Sequence, residues 1–132
     1  MKIVIDTNVV ISGVFFGGAP REVLQAVVDG NVTACASPEI VSEYEEIVNE
    51  MINRKQWRLN RNILSPLIEK LSLIMPTSDV DICRDPDDNK FLNCAKDSGS
   101  IYIVSGDKDL LVIQTFEGIR IVTANEFCDE YL

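Results

Sequence analysis

The chain has 132 residues, 46% of them hydrophobic, with 12 basic against 21 acidic residues and a net charge of −9. That length and composition suit one globular domain, residues 1–132, and argue against disorder, while the acidic balance argues against nucleic-acid binding only if metal ions do not neutralise several carboxylates. The absence of His excludes Ser-His-Asp, Cys-His and His-metal chemistry, so catalysis must rest on carboxylates, hydroxyls, Lys, Arg or a metal held by oxygen.

Lys2–Ile5 is a short apolar, β-branched run that predicts a central strand ending at Asp6. Asp6-Thr7-Asn8 supplies N-cap chemistry for a short helix through Val14. Phe15 to Pro20 reads as a loop, and Arg21–Asp29 repeats its apolar residues at a helical period before Gly30. Val32–Ala36 predicts a second strand. Ser37-Pro38-Glu39 predicts a helix start, with the helix running to about Asn53. A basic–aromatic segment follows: Arg54, Lys55, Trp57, Arg58 and Arg61. The next helix is expected from Asn60 or Asn62 through Ile74, stopped by Pro76. Residues 77–82 read as a short strand or an extended link. A helix from Asp85–Asp88 to Asp97 is closed by Gly99. Ile101–Val104 predicts a third strand, Ser105–Asp109 a turn, Leu110–Thr115 a short helical piece and Ile119–Val122 a fourth strand. A last helix is capped by Thr123 or Asn125.

Strands alternating with helices, each strand a continuous apolar run, predict an α/β fold with a mainly parallel sheet covered on both faces. No apolar run nears the roughly 20 residues that span a bilayer, and the start lacks the pattern of a secretory signal. A cytoplasmic location is expected. The 4 cysteines form no CxxC pair and read as buried, reduced thiols.

Four acidic stretches carry the chemistry. Asp6 and Asp107 follow predicted strands, where parallel sheets gather their ligands. Glu43 borders the apolar stripe of its helix, between Ile40 and Ile47, whereas Glu39, Glu45, Glu46 and Glu50 face solvent. Asp88 is in phase with Phe91, Leu92 and Ala95, while Asp87 is rotated away. Taken singly, Asp6 also reads as an N-cap, Glu43 as a solvated edge residue, Asp88 as a first-turn acid, and Asp107 and Asp109 as turn residues. Convergence of all four stretches would demand a counter-charge, and oxygen-rich clusters suit Mg²⁺ or Mn²⁺. Lys90 and Lys108 lie close enough in sequence either to touch a phosphate or to balance local charge.

With VIDTNVVISG, SPEIVSEYEEI, RDPDDNKFLNCA and IVSGDKDLL in this order, the chain resembles the PIN-domain nucleases, in particular small toxins of toxin–antitoxin pairs. The resemblance implies a three-layer α/β/α sandwich and a Mg²⁺- or Mn²⁺-dependent endoribonuclease that cuts single-stranded RNA. It implies an acidic site of Asp6, Glu43, Asp88 and Asp107, joined by Asp109 as a further metal ligand and supported by Asn8 and Ser105. An antitoxin partner and a homodimer are implied as well. The basic–aromatic segment 54–61 reads either as an RNA contact, gripping phosphate and stacking a base, or as a solvated turn between helices. Two rival readings are a different Mg²⁺-dependent phosphoryl-transfer protein and a non-catalytic interaction protein with the same fold. The first needs a second Asp two residues after Asp6, where this chain has Asn8.

Overall fold

The computed structural model describes residues 1–55 and 62–132, with Lys55 as backbone only. A six-stranded sheet forms the centre: β1 (Lys2–Ile5), β2 (Thr33–Ala36), β3 (Ser72–Leu73), β4 (Tyr102–Val104), β5 (Thr115–Phe116) and β6 (Ile119–Val122). Their spatial order is β3-β2-β1-β4-β6-β5, and every pairing is parallel except β5 with β6. The helices are α1 (Thr7–Phe15), α2 (Gly18–Val28), α3 (Pro38–Lys55), α4 (Leu64–Lys70), α5 (Asn89–Ser98), α6 (Lys108–Leu111) and α7 (Ala124–Tyr131).

From β1 the chain moves outward to β2 and β3, then returns across the sheet to β4 on the other side of β1. Right-handed crossovers put the outward and return helices on opposite faces. Accordingly α5 lies across β1, β2 and β4, while α2 packs with α1, α4 and α7. The result is the expected α/β/α sandwich. Its core includes the strand residues Ile3, Val4, Ile5 and Ile103, and Phe91 and Leu92 of α5, all at most 1% exposed. Burying each such side chain contributes about 1.5–3 kcal/mol.

Gly13 fixes how closely α1 and α2 approach. A Cβ there would sit 2.6 Å from Leu24 Cδ1 and 3.0 Å from the Pro20 carbonyl oxygen. Gly13→Ala is therefore expected to cost about 1–3 kcal/mol through overpacking, despite the better helix propensity of Ala. Urea denaturation checks this: an unchanged or higher midpoint would show that Leu24 moves aside freely.

Three boundaries differ from the sequence expectation. The loop after Phe15 shrinks to Phe16-Gly17, because positive φ at Gly17 (89°) and Gly18 (68°) turns the chain at once into α2. Pro20 is then the third helical residue, where its missing N–H has no intrahelical acceptor to lose. The helix expected through Ile74 stops at Lys70, since Leu71 is extended (ψ 136°) and β3 completes the edge beside β2. Apolar residues at 71, 73 and 74 fit either period, and the free edge of β2 decides between them.

Of the two alternatives for residues 77–82, strand or link, the chain takes the link, which runs on to Cys83. Three side chains spaced four apart on α5 hold it. Asp97 accepts from the Thr77 and Ser78 amides, Asn93 from Val80, and Asn89 from Ile82 and Cys83. Finally, the helix expected over 110–115 becomes α6, followed by an antiparallel β5–β6 hairpin. Its two turn residues, Glu117 and Gly118, both have positive φ (49° and 83°), the geometry that suits a two-residue hairpin.

Candidate functional site

The sheet reverses its winding between β1 and β4, the switch point at which open parallel sheets form a ligand crevice at the carboxyl ends of their strands. The parallel register pairs Ile5 with Val104, so the next residues, Asp6 and Ser105, stand side by side. The Asp6 amide donates to the Val104 carbonyl at 2.9 Å, and Ser105 Oγ donates to Asp6 Oδ2 at 2.6 Å. Asp6 occupies the N-cap position of α1, but its side chain does not cap that helix. It is 4% exposed. Burial raises its pKa, the Ser105 hydrogen bond opposes this, Asp107 adds to it, the Asn8 amide opposes it, and Glu43 adds to it. Asn8 therefore supports Asp6 through its backbone, while its side chain is exposed.

Ser105 also accepts from the Asp107 amide at 2.9 Å, tying the second strand-end acid to the first. Asp107 is the N-cap of α6 and accepts from the Asp109 amide at 2.9 Å. Asp109 meets the Arg84 guanidinium at 2.7 Å.

Asp88 arrives from α5's side of the sheet, on a 3-10 turn (Pro86–Asp88) capped by the Asp85 side chain. As expected, Asp88 is buried and Asp85 and Asp87 are exposed. Among the described residues, Asp88 Oδ2 is a buried oxygen with no hydrogen-bond partner. Burial, then the neighbouring Asp107, Asp6 and Asp85 side chains, push the Asp88 pKa up to about 7. One carboxylate oxygen from each of Asp88, Asp107 and Asp109 lies within 4.8 Å of the others. Neighbouring Cys83 senses the same field: burial, then Asp88, Asp107 and Asp109, push its thiol up to about 11.

Glu43 reaches the crevice from α3. Its Oε1 meets Lys90 Nζ at 2.7 Å and its Oε2 accepts from the Thr7 hydroxyl. Burial pulls the Lys90 pKa down, but Glu43 outweighs it and the net direction is up. The next residue, Tyr44, is 1% exposed and donates its hydroxyl to the Ile5 carbonyl, fastening α3 to the end of β1. Glu39, Glu45, Glu46 and Glu50 are exposed.

Asp6, Asp88, Asp107 and Asp109 are thus gathered around one crevice, with Glu43 beside Asp6. The roles of Thr7, Tyr44 and Arg84 escaped sequence reasoning. Thr7 and Tyr44 had a usable signal, since each adjoins a proposed site acid, whereas nothing local pairs Arg84 with Asp109. Arg54 meets Glu50 at 2.7 Å on an exposed face of α3, the arrangement of an ordinary i,i+4 pair. The Lys55 side chain, Trp57, Arg58 and Arg61 lie outside the described residues. All four cysteines are free, three of them buried. Among the described residues, no helix is long and apolar enough to cross a membrane.

A family model for the PIN domain matches residues 2–109. An uncharacterized protein of Methanocaldococcus jannaschii is 31% identical over 143 residues, covering 99% of this chain and 92% of its own. No solved structure matches the chain. PIN domains have a nuclease-type fold and generally use divalent metals, which agrees with a carboxylate cluster at the switch point of a mainly parallel sheet. By the family match over residues 2–109, with which this architecture agrees, the chain belongs to the PIN domain family.

Proposed function

We propose that the protein is a Mg²⁺- or Mn²⁺-dependent endoribonuclease that hydrolyses phosphodiester bonds in single-stranded RNA. The observation that carries this reading is Asp88 Oδ2, a buried oxygen with no partner among the described residues, beside Asp107 and Asp109. A buried, unpartnered carboxylate oxygen is costly, and a hard cation with oxygen ligands satisfies it. The donor set fits such an ion: it is all oxygen, and it offers no thiolate or imidazole that would favour a softer metal.

In this reading Asp6, Asp88, Asp107 and Asp109 hold the ion, and Glu43 contributes directly or through water. Ser105 orients Asp6 and Asp107 together, and the Asn8 amide steadies Asp6. When bound, such an ion makes water nucleophilic at neutral pH and offsets the charge that builds on the phosphate. Water adds to phosphorus opposite the 3′ oxygen, which departs with a proton. The products carry 5′-phosphate and 3′-hydroxyl ends.

The other elements of the proposal rest on the sequence. One PIN-like domain spans 1–132, a reading supported by α7 packing on α2 beyond the matched segment. Arg54, Lys55, Trp57, Arg58 and Arg61 contact the RNA. The protein acts in the cytoplasm as the toxin of a toxin–antitoxin pair, binds an antitoxin and forms a homodimer. The toxin role, the antitoxin and the homodimer rest on the resemblance to small PIN-domain toxins.

The test is incubation of wild-type protein with a mixed single-stranded RNA pool, with Mn²⁺ or with EDTA, followed by end-group analysis. The expected result is cleavage with Mn²⁺ alone, leaving 5′-phosphates. Cleavage that survives EDTA, or 2′,3′-cyclic phosphate ends, would reject the mechanism.

A further inference from the structure

The two sides of the acidic crevice differ in how their charge is balanced. Asp88 faces Asp107, and its buried Oδ2 has no partner among the described residues. Glu43, by contrast, has both oxygens engaged, one by Lys90 at 2.7 Å and one by the Thr7 hydroxyl. Thr7 follows Asp6 in the chain, and Glu43 is close enough to Asp6 to repel its charge. The Lys90 side chain is only 11% exposed, and its ammonium lies 5.4 Å from the centre of the Phe91 ring. Such a lysine has lost most of its hydration and depends for compensation chiefly on Glu43, with the ring and the more distant Asp87 and Glu39 charges adding to it. It is a built part of the crevice, unlike the exposed Arg54 on Glu50.

We infer that the crevice takes a single divalent cation on the Asp88–Asp107 side, which Glu43 reaches only through water, with the Lys90 ammonium standing where a second cation would otherwise balance Glu43. This inference rests on the metal-dependent reading above. A second divalent ion at Glu43 would have to displace an ammonium already seated against the carboxylate. Lys90 would then lose its one close ion pair while largely buried and next to a like charge, with only the more distant Asp87 and Glu39 to offset it, which is disfavoured. Lys90 is a positioning residue: it touches Glu43 and sets how many ions the site accepts.

The test counts bound Mn²⁺ by calorimetry, and by electron paramagnetic resonance of the free ion, on wild type and variants. About one ion is expected on wild type and on Lys90→Arg, and about two on Lys90→Met, the second at least roughly tenfold weaker. Adding Glu43→Gln to Lys90→Met should return the count to about one, because the vacated position loses its carboxylate. Lys90→Gln is measured in parallel, in case Met at that position prevents folding. Two ions on wild type would overturn the inference while leaving the metal-dependent reading intact. A single ion on a folded Lys90→Met protein would overturn it too. No ion on wild type would remove the metal-dependent reading itself. A merely structural Lys90 would change stability without changing the count.

Discussion

Asp88→Asn is expected to lower metal-dependent RNA cleavage by orders of magnitude while making the metal-free protein more stable. The two effects share one cause. The Asp88 carboxylate is buried, faces Asp107 and leaves Oδ2 without a partner among the described residues. Without a cation its charge is a liability, and removing that charge relieves desolvation and repulsion together. With a cation the same charge is a ligand, and its loss should lower activity by about 10²–10³-fold, the scale of losing one charge-stabilising group at a reacting centre. Thermal melts in EDTA should show a higher midpoint than wild type, and Mn²⁺ should raise the mutant's midpoint much less than it raises the wild type's. A residue needed only for folding would lower both activity and metal-free stability. Wild-type cleavage rates in Asp88→Asn would reject its place in the site.

Metal-free wild-type protein is expected to lose stability between about pH 4 and pH 8, the reverse of a domain stabilised by paired carboxylates. Asp88 has its pKa raised from 3.8 to about 7, and that of Asp6 is raised as well. The folded state therefore keeps protons that the unfolded state releases. Stability from these groups is fully present below the unfolded value and is lost as pH rises through the folded one. At about 1.4 kcal/mol per unit, the Asp88 shift amounts to a few kcal/mol at most.

Asp97 has the opposite sign, because the Ser78 hydroxyl and amide hydrogen bonds lower its pKa. Its contribution is present above the unfolded value and lost as pH falls through the folded one. The metal-free optimum should therefore lie near the unfolded carboxylate value, at about pH 4. Saturating Mn²⁺ should invert the upper limb, since deprotonated ligands bind better as pH rises. Melting midpoints across pH in EDTA provide the check. Metal-free stability that climbs from pH 5 to 8 would contradict the buried, unbalanced charge.

Much of the fold was legible because its signals are local. KIVI and IYIV read as strands from their continuous apolar character, Ser37-Pro38 opened α3, and Gly99 closed α5 with a φ of 72°. Thr123 capped α7 with Glu126 three residues on. Helical phase also separated Asp88 from Asp87 and Glu43 from its acidic neighbours. The misses and the open choice fell where a distant partner decides. β3 exists because β2 leaves an edge to pair, and the link at 77–83 is shaped by Asn89, Asn93 and Asp97, whose spacing of four was visible but whose acceptors' targets were not.

Local signals were enough to read the type of protein: alternating strands and helices, an acid after each of two central strands, and no histidine to offer another chemistry. Only the tertiary structure decided how those charges are balanced. Register along β1 and β4 set Ser105 against Asp6, Arg84 met Asp109, and Lys90 folded onto Glu43 across 47 residues of chain. The physical reason is that helix phase and strand alternation act over a few residues. Coulomb energy and desolvation depend on distances in space that exist only after the sheet has closed.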